Sequence, residues 1–99
     1  MIRALIVDDE PLALNSLKVL LQQHPEIEVV AECRNGVEAI EALKNADIQL
    51  LFLDIQMPGL NGFEVLAKIE VKRMPAIIFT TAFDEFAVKA FELNAVDYL

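Results

Sequence analysis

The chain of 99 residues contains one cysteine, Cys33, so no disulfide can form within it. Positive charge is also scarce: eight lysines and arginines stand against sixteen aspartates and glutamates, for a net charge of −8 and a pI near 4.4. A surface of that sign repels the phosphates of nucleic acid and of anionic membranes. Direct membrane contact is therefore not expected, and DNA would be reached only through an output domain outside this chain. No apolar run approaches the ~20 residues that a membrane helix requires. Met1-Ile2-Arg3 passes straight into a strand pattern without the charged and apolar regions of a signal peptide. Repeats, linkers and low-complexity stretches are also missing. A cytoplasmic protein with one domain and one site is expected.

Apolar residues are abundant, at 56% of the chain, and they recur in short runs. Ala4-Leu5-Ile6-Val7, Ile27-Glu28-Val29-Val30-Ala31, Leu50-Leu51-Phe52-Leu53, Ala76-Ile77-Ile78-Phe79 and Ala95-Val96-Asp97-Tyr98-Leu99 have strand length. Their mostly continuous hydrophobicity suits strands covered on both faces, as in a parallel sheet. Between them lie helical spacings: Ala13, Leu17, Leu20 and Leu21; Val37, Ile40 and Leu43; Phe63, Leu66 and Ala67; Ala87, Ala90 and Phe91. Pro11 suits a helix start, Asn35-Gly36 precedes the second helix, and Pro58-Gly59 with Gly62 frames the loop before the third. Strict strand-helix alternation predicts an α/β fold with a doubly wound, parallel, five-stranded sheet in the order 2-1-3-4-5. In that order the first and third strands meet at the topological switch point, and ligands bind at their carboxyl ends.

The residues at those ends are acidic. Asp8, Asp9 and Glu10 follow the first strand, Asp54 follows the third, and Thr80 and Thr81 follow the fourth. Like charges at close range destabilise one another unless a cation neutralises them, and a hard divalent ion with oxygen ligands, Mg²⁺, suits this donor set. Beside such an ion Asp54 becomes an oxygen nucleophile for a phosphoryl group, and the Thr81 hydroxyl can donate to a phosphoryl oxygen. Each residue also has a plainer reading. A single Asp after a buried strand is more often a helix cap, and Asp9 before Glu10-Pro11 could cap the first helix. Cys33 reads as a small buried apolar residue and His24 as a solvent-facing residue at a helix end.

The segments Leu5-Ile6-Val7-Asp8-Asp9-Glu10-Pro11, Leu53-Asp54-Ile55-Gln56-Met57-Pro58-Gly59-Leu60-Asn61-Gly62 and Phe79-Thr80-Thr81-Ala82 together resemble the signature segments of response-regulator receiver domains. The resemblance spans residues 1–99 and implies a flavodoxin-like, CheY-like fold. It implies Asp54 as the phosphoacceptor and Mg²⁺ held by Asp9, Asp54 and the Gln56 backbone carbonyl, with Asp8 acting mainly through water. Thr81 and Tyr98 would form the switch pair, and a sensor histidine kinase would be the partner. The stretch from Phe91 to Leu99 further resembles regulators that carry a LytTR-type DNA-binding domain, which implies a transcriptional regulator. Receivers continue past this tyrosine with a lysine, a proline and a final helix. Since the sequence stops at Leu99, a truncated receiver is expected, self-associating through the region from Phe86 to Leu99.

Two other classes fit less well. A phosphatase of the haloacid dehalogenase type needs a second acid two residues after its nucleophile, and that position is Gln56. A flavodoxin-like cofactor protein needs a glycine- or hydroxyl-rich phosphate loop after the first strand, where acids stand instead. A receiver-like interaction domain that does not turn over phosphate is the remaining alternative.

Overall fold

The computed structural model of the chain describes residues 1–80 and the backbone of Asp97 and Tyr98. The elements run β1 (Ile2–Val7), α1 (Pro11–Leu21), β2 (Ile27–Cys33), α2 (Gly36–Asn45), β3 (Leu50–Leu53), α3 (Gly62–Lys68), β4 (Ala76–Phe79) and β5 (Asp97–Tyr98). All strand pairings are parallel and the sheet order is β2-β1-β3-β4-β5, as the alternation predicts. The expected fourth helix around Ala87, Ala90 and Phe91 lies outside the described residues. So does most of the region from Phe86 to Leu99 on which the expected self-association rests.

Strand side chains alternate between faces, so each inner strand supplies two cores at once. Leu5 and Val7 of β1, Leu51 and Leu53 of β3, and Ile77 and Phe79 of β4 point to one face. There they pack with Ala39 and Leu43 of α2 and Val65 of α3. Ala4, Ile6 and Phe52 point to the other face, where α1 covers them with Leu14 and Leu21. The apolar runs are continuous because neither face of β1 or β3 meets water. β2 is an edge strand that touches the α1 cluster through Ile27 and Val29 and the opposite cluster through Val30 and Cys33, and Glu28 and Glu32 are its exposed positions. Arg3 and Lys18 pair with these two glutamates, at 3.8 and 2.9 Å respectively. Exposed pairs of this kind add ~1 kcal/mol or less.

The helices sit at rotations that differ from the expected stripes. Leu14 and Leu21 are buried in α1, with Leu17 packed against the same cluster, whereas Leu20 is 49% exposed and Ala13 only partly covered. On α2, Ala39 and Leu43 are buried and Val37 is 69% exposed. On α3, Val65 is fully buried, Phe63 and Leu66 are half-buried, and Ala67 is exposed. Each helix carries more apolar residues than one stripe can hold. Contact with the sheet therefore chooses the phase, and small residues such as Ala39 settle where a helix approaches closely.

Two asparagines start the inner-face helices. The Asn35 side chain accepts from the Glu38 amide at 2.9 Å. Asn61 and Glu64 form a reciprocal capping box, with bonds of 2.9 and 3.0 Å. Both caps use an Asn-x-x-Glu spacing, in which residues three apart close the first turn.

At Gly36, the first residue of α2, an added Cβ would lie 2.7 Å from Leu60 Cβ and 2.8 Å from Val65 Cγ2. Replacing glycine by alanine in an open helix gains ~0.5–1 kcal/mol. Here the clash reverses the sign, and Gly36→Ala is expected to cost about 1–3 kcal/mol. Urea denaturation of the variant measures this; a stabilised variant would mean that α2 and α3 are not packed this closely.

Candidate functional site

The three inner strands end at nearly the same height, and the chain leaving them builds one crevice. The amide of Asp8 donates to the Cys33 carbonyl, that of Asp54 to Val7, and that of Thr80 to Leu53, at 3.0, 3.0 and 3.1 Å. These bonds extend the parallel pairing one residue past each strand. The acids are thereby carried on the rigid sheet rather than on free loops.

Behind Asp54 the approach is closer still. Gly62 begins α3, donates to the Ile55 carbonyl at 2.8 Å, and lies so near the chain that an added Cβ would sit 2.8 Å from the Asp54 carbonyl oxygen and 2.9 Å from Ile55 Cα. Both obstacles are backbone and cannot swing aside. Only glycine lets the α3 start brace the peptide that carries Asp54.

Asp8, Asp9 and Asp54 each offer a carboxylate oxygen, and the three atoms lie within 4.8 Å of one another. All three residues are partly buried. Asp54 accepts a hydrogen bond from the Gln56 amide at 3.2 Å, and Asp8 accepts one from the Glu10 amide at 3.0 Å. Among the described residues no lysine or arginine pairs with any of the three. Burial, and then the charge of Asp8, push the Asp54 carboxyl up to about 6, with the Gln56 amide pulling the other way. Asp8 is raised too, by burial first and by Asp9 and Glu10, against the pull of the Glu10 amide.

The expected residues are therefore partly assembled. Asp8, Asp9 and Asp54 come together, whereas Glu10, which also follows β1, is exposed and outside the group. Glu10 occupies the N-cap position of α1, makes no side-chain cap bond, and precedes Pro11 in the first turn. Asp9 is thus not the cap of that helix. Gln56 sits two residues beyond Asp54 with its side chain exposed. Thr81 lies outside the described residues. The backbone of Tyr98 pairs with Phe79, and its side chain is not among the described groups. Cys33 is buried, and burial pushes its thiol up to about 11, as suits a structural residue. His24 lies exposed just past α1, 3.5 Å from Glu26.

A cavity of about 410 Å³ beside Asp54 is lined by Ile55, Gln56, Met57, Pro58 and Asn61. A larger one of about 580 Å³ lies at the opposite end of the sheet, where Lys44, Lys72 and Arg73 are offset by Asp47 and Glu70. Size does not mark the site here; the concentration of like charge does.

A carboxyl that titrates near 6 when folded and near ~4 when unfolded holds a proton between those values only in the folded state. Its contribution is therefore full below pH ~4 and is lost as pH rises to about 6. Without added metal, Asp54→Asn is expected to stabilise the fold at pH 7 by about 1 kcal/mol, after discounting for solvent around this partly exposed group. The gain should shrink toward pH 4. Thermal unfolding of both forms across that range checks it, and a gain independent of pH would contradict the electrostatic account.

The chain matches the model of the response regulator receiver domain over residues 4–99. It is 54% identical over 99 residues to the transcriptional regulatory protein BtsR of Salmonella typhi, covering 100% of this chain and 41% of that protein. The chain thus spans well under half the length of that relative. Among solved structures, the response regulatory domain of MrkE from Klebsiella pneumoniae superposes with a TM-score of 0.90 at 36% identity, covering 99% of this chain and 81% of that one. The response regulator TrrA from Thermotoga maritima, in complex with Mg²⁺ and BeF, superposes with a TM-score of 0.79 at 34% identity, covering 100% and 85%. An acidic triad at the carboxyl ends of a 2-1-3-4-5 sheet and a family match over nearly every residue agree, and the chain belongs to the receiver domains of two-component response regulators.

Proposed function

We propose that this domain is a phosphorylation switch in which Asp54 accepts a phosphoryl group from a sensor histidine kinase beside Mg²⁺. The observation that carries the reading is the convergence of Asp8, Asp9 and Asp54 within 4.8 Å, with no lysine or arginine among the described residues paired to them. The three carboxylates already stand close enough that little movement would let them share one hard divalent ion. Asp9, Asp54 and the Gln56 carbonyl would hold it directly, with Asp8 acting through water. When bound, Mg²⁺ neutralises the cluster and draws charge from a phosphoryl oxygen. Beside such a charge Asp54 would stay ionised to lower pH than its burial alone allows.

In that state an Asp54 carboxylate oxygen attacks phosphorus in line, the bond from phosphorus to the histidine nitrogen breaks, and the electron pair leaves with the imidazole. Loading the site adds negative charge at the end of β3, beside the end of β4. Thr81 and Tyr98 are the residues assigned to sense it. An output domain of the LytTR type would translate the change into DNA binding in the cytoplasm. BtsR, the relative named above, is called a transcriptional regulatory protein, in line with that assignment.

Two measurements test the reading. In the full-length protein, Asp54→Asn should abolish labelling by acetyl phosphate, and mass mapping should place the wild-type adduct on Asp54; an adduct elsewhere would refute the nucleophile. Mg²⁺ affinity should fall as pH drops below about 6, because protons and metal compete for Asp54. Asp9→Asn should weaken Mg²⁺ binding at least tenfold by titration while far-UV circular dichroism stays unchanged. Equal affinity in the variant would remove Asp9 from the metal site.

A further inference from the structure

Thr80 carries a feature that none of the assigned roles uses. Its side-chain oxygen is shut off from solvent and has no hydrogen-bond partner, the one such side-chain atom among the described residues. A buried hydroxyl left unpaired is costly, and valine would fill nearly the same volume without that penalty. An unsatisfied group of this kind calls for a reason, and its place in the fold supplies one.

The Thr80 amide donates to the Leu53 carbonyl at 3.1 Å, continuing the pairing of β3 with β4 past the partners Leu53 and Phe79. The next pair in that register is Asp54 and Thr80. Alternation along the two strands sets Asp54 on the same side as Phe52, and Thr80 on the same side as Ile78. Phe52 and Ile78 belong to one cluster, so the carboxylate and the hydroxyl leave the sheet on a common face. In the form described here the Asp54 carboxylate instead accepts from the Gln56 amide, and its other near neighbours are the acids Asp8 and Asp9, which when ionised accept hydrogen bonds but do not donate them. A donor facing an anion in such surroundings forms a charge-assisted bond, about twice as strong as a neutral one.

We propose that Thr80 is a second, positioning hydroxyl of this site: unpaired in the form described here, it turns to donate to the anionic group carried at Asp54 once the site is loaded. It is distinct from Thr81, the residue that the family pattern assigns to the phosphoryl group. Its role is to hold that group in place from the β4 side, so that a polar group costly to the unloaded form favours the loaded one. The inference rests on the proposed phosphoacceptor role of Asp54.

The test compares Thr80→Val and Thr80→Ser in the full-length protein. Affinity for beryllofluoride with Mg²⁺ and the melting temperature without either are measured for each. Thr80→Val should melt a few degrees higher when unloaded, because the orphaned hydroxyl is gone, and should bind beryllofluoride roughly ten- to a hundredfold more weakly. Thr80→Ser, which keeps the hydroxyl, should retain affinity within a few-fold. Unchanged affinity in Thr80→Val would overturn the inference alone, and so would equal weakening in both variants, since only shape would then matter. Failure of the wild-type protein to bind beryllofluoride would overturn the phosphoacceptor reading together with the inference.

Discussion

Mutual repulsion among three partly buried carboxylates is the constraint that the rest of this structure supports. Asp8, Asp9 and Asp54 stand within 4.8 Å of one another, and burial, with the charge of Asp8 added to it, raises the Asp54 carboxyl to about 6. The crowding persists because the backbone bearing each acid has nowhere else to go. The amides of Asp8 and Asp54 continue the sheet pairing, and α3 is braced against the Asp54 peptide at Gly62. A crevice crowded with like charge responds strongly to the charge of whatever enters it, since a change of occupancy alters its energy by more than it would in a neutral pocket.

Stability and function are divided between the two ends of the strands. The cores made by Leu5, Val7, Leu51, Leu53, Ile77 and Phe79 on one face and by Ala4, Ile6 and Phe52 on the other lie below the acids. Their burial outweighs the local strain above. Phe63 and Phe79, with ring centres 5.6 Å apart, tie α3 to β4 just under the crevice. The first turn of α3 and the end of β4 therefore share a packed contact.

Much of this was legible in the sequence. Continuous apolar runs such as Leu50 to Leu53 can be stable only if both faces are covered, so a parallel sheet with helices on each side follows from composition and spacing alone. The acids that end those runs follow too, because they mark where a buried strand meets solvent. Pro58-Gly59 and Gly62 likewise marked the loop before the third helix, since turn residues act locally.

Tertiary structure decided the rest. Helix rotation was not readable, because α1 offers Leu12, Leu14, Leu17, Val19, Leu20 and Leu21 and any of several phases would look apolar. The sheet selected Leu14 and Leu21, leaving Leu12 78% exposed. The membership of the site was not readable either: Glu10 is as acidic as its neighbours, yet the turn into α1 directs it to solvent while Asp8 and Asp9 face Asp54. The need for glycine at position 62 and the orphaned hydroxyl of Thr80 depend on what lies across a strand boundary. Spacing along a chain reports which residues share a face, but only the packed fold reports how close the opposing face stands.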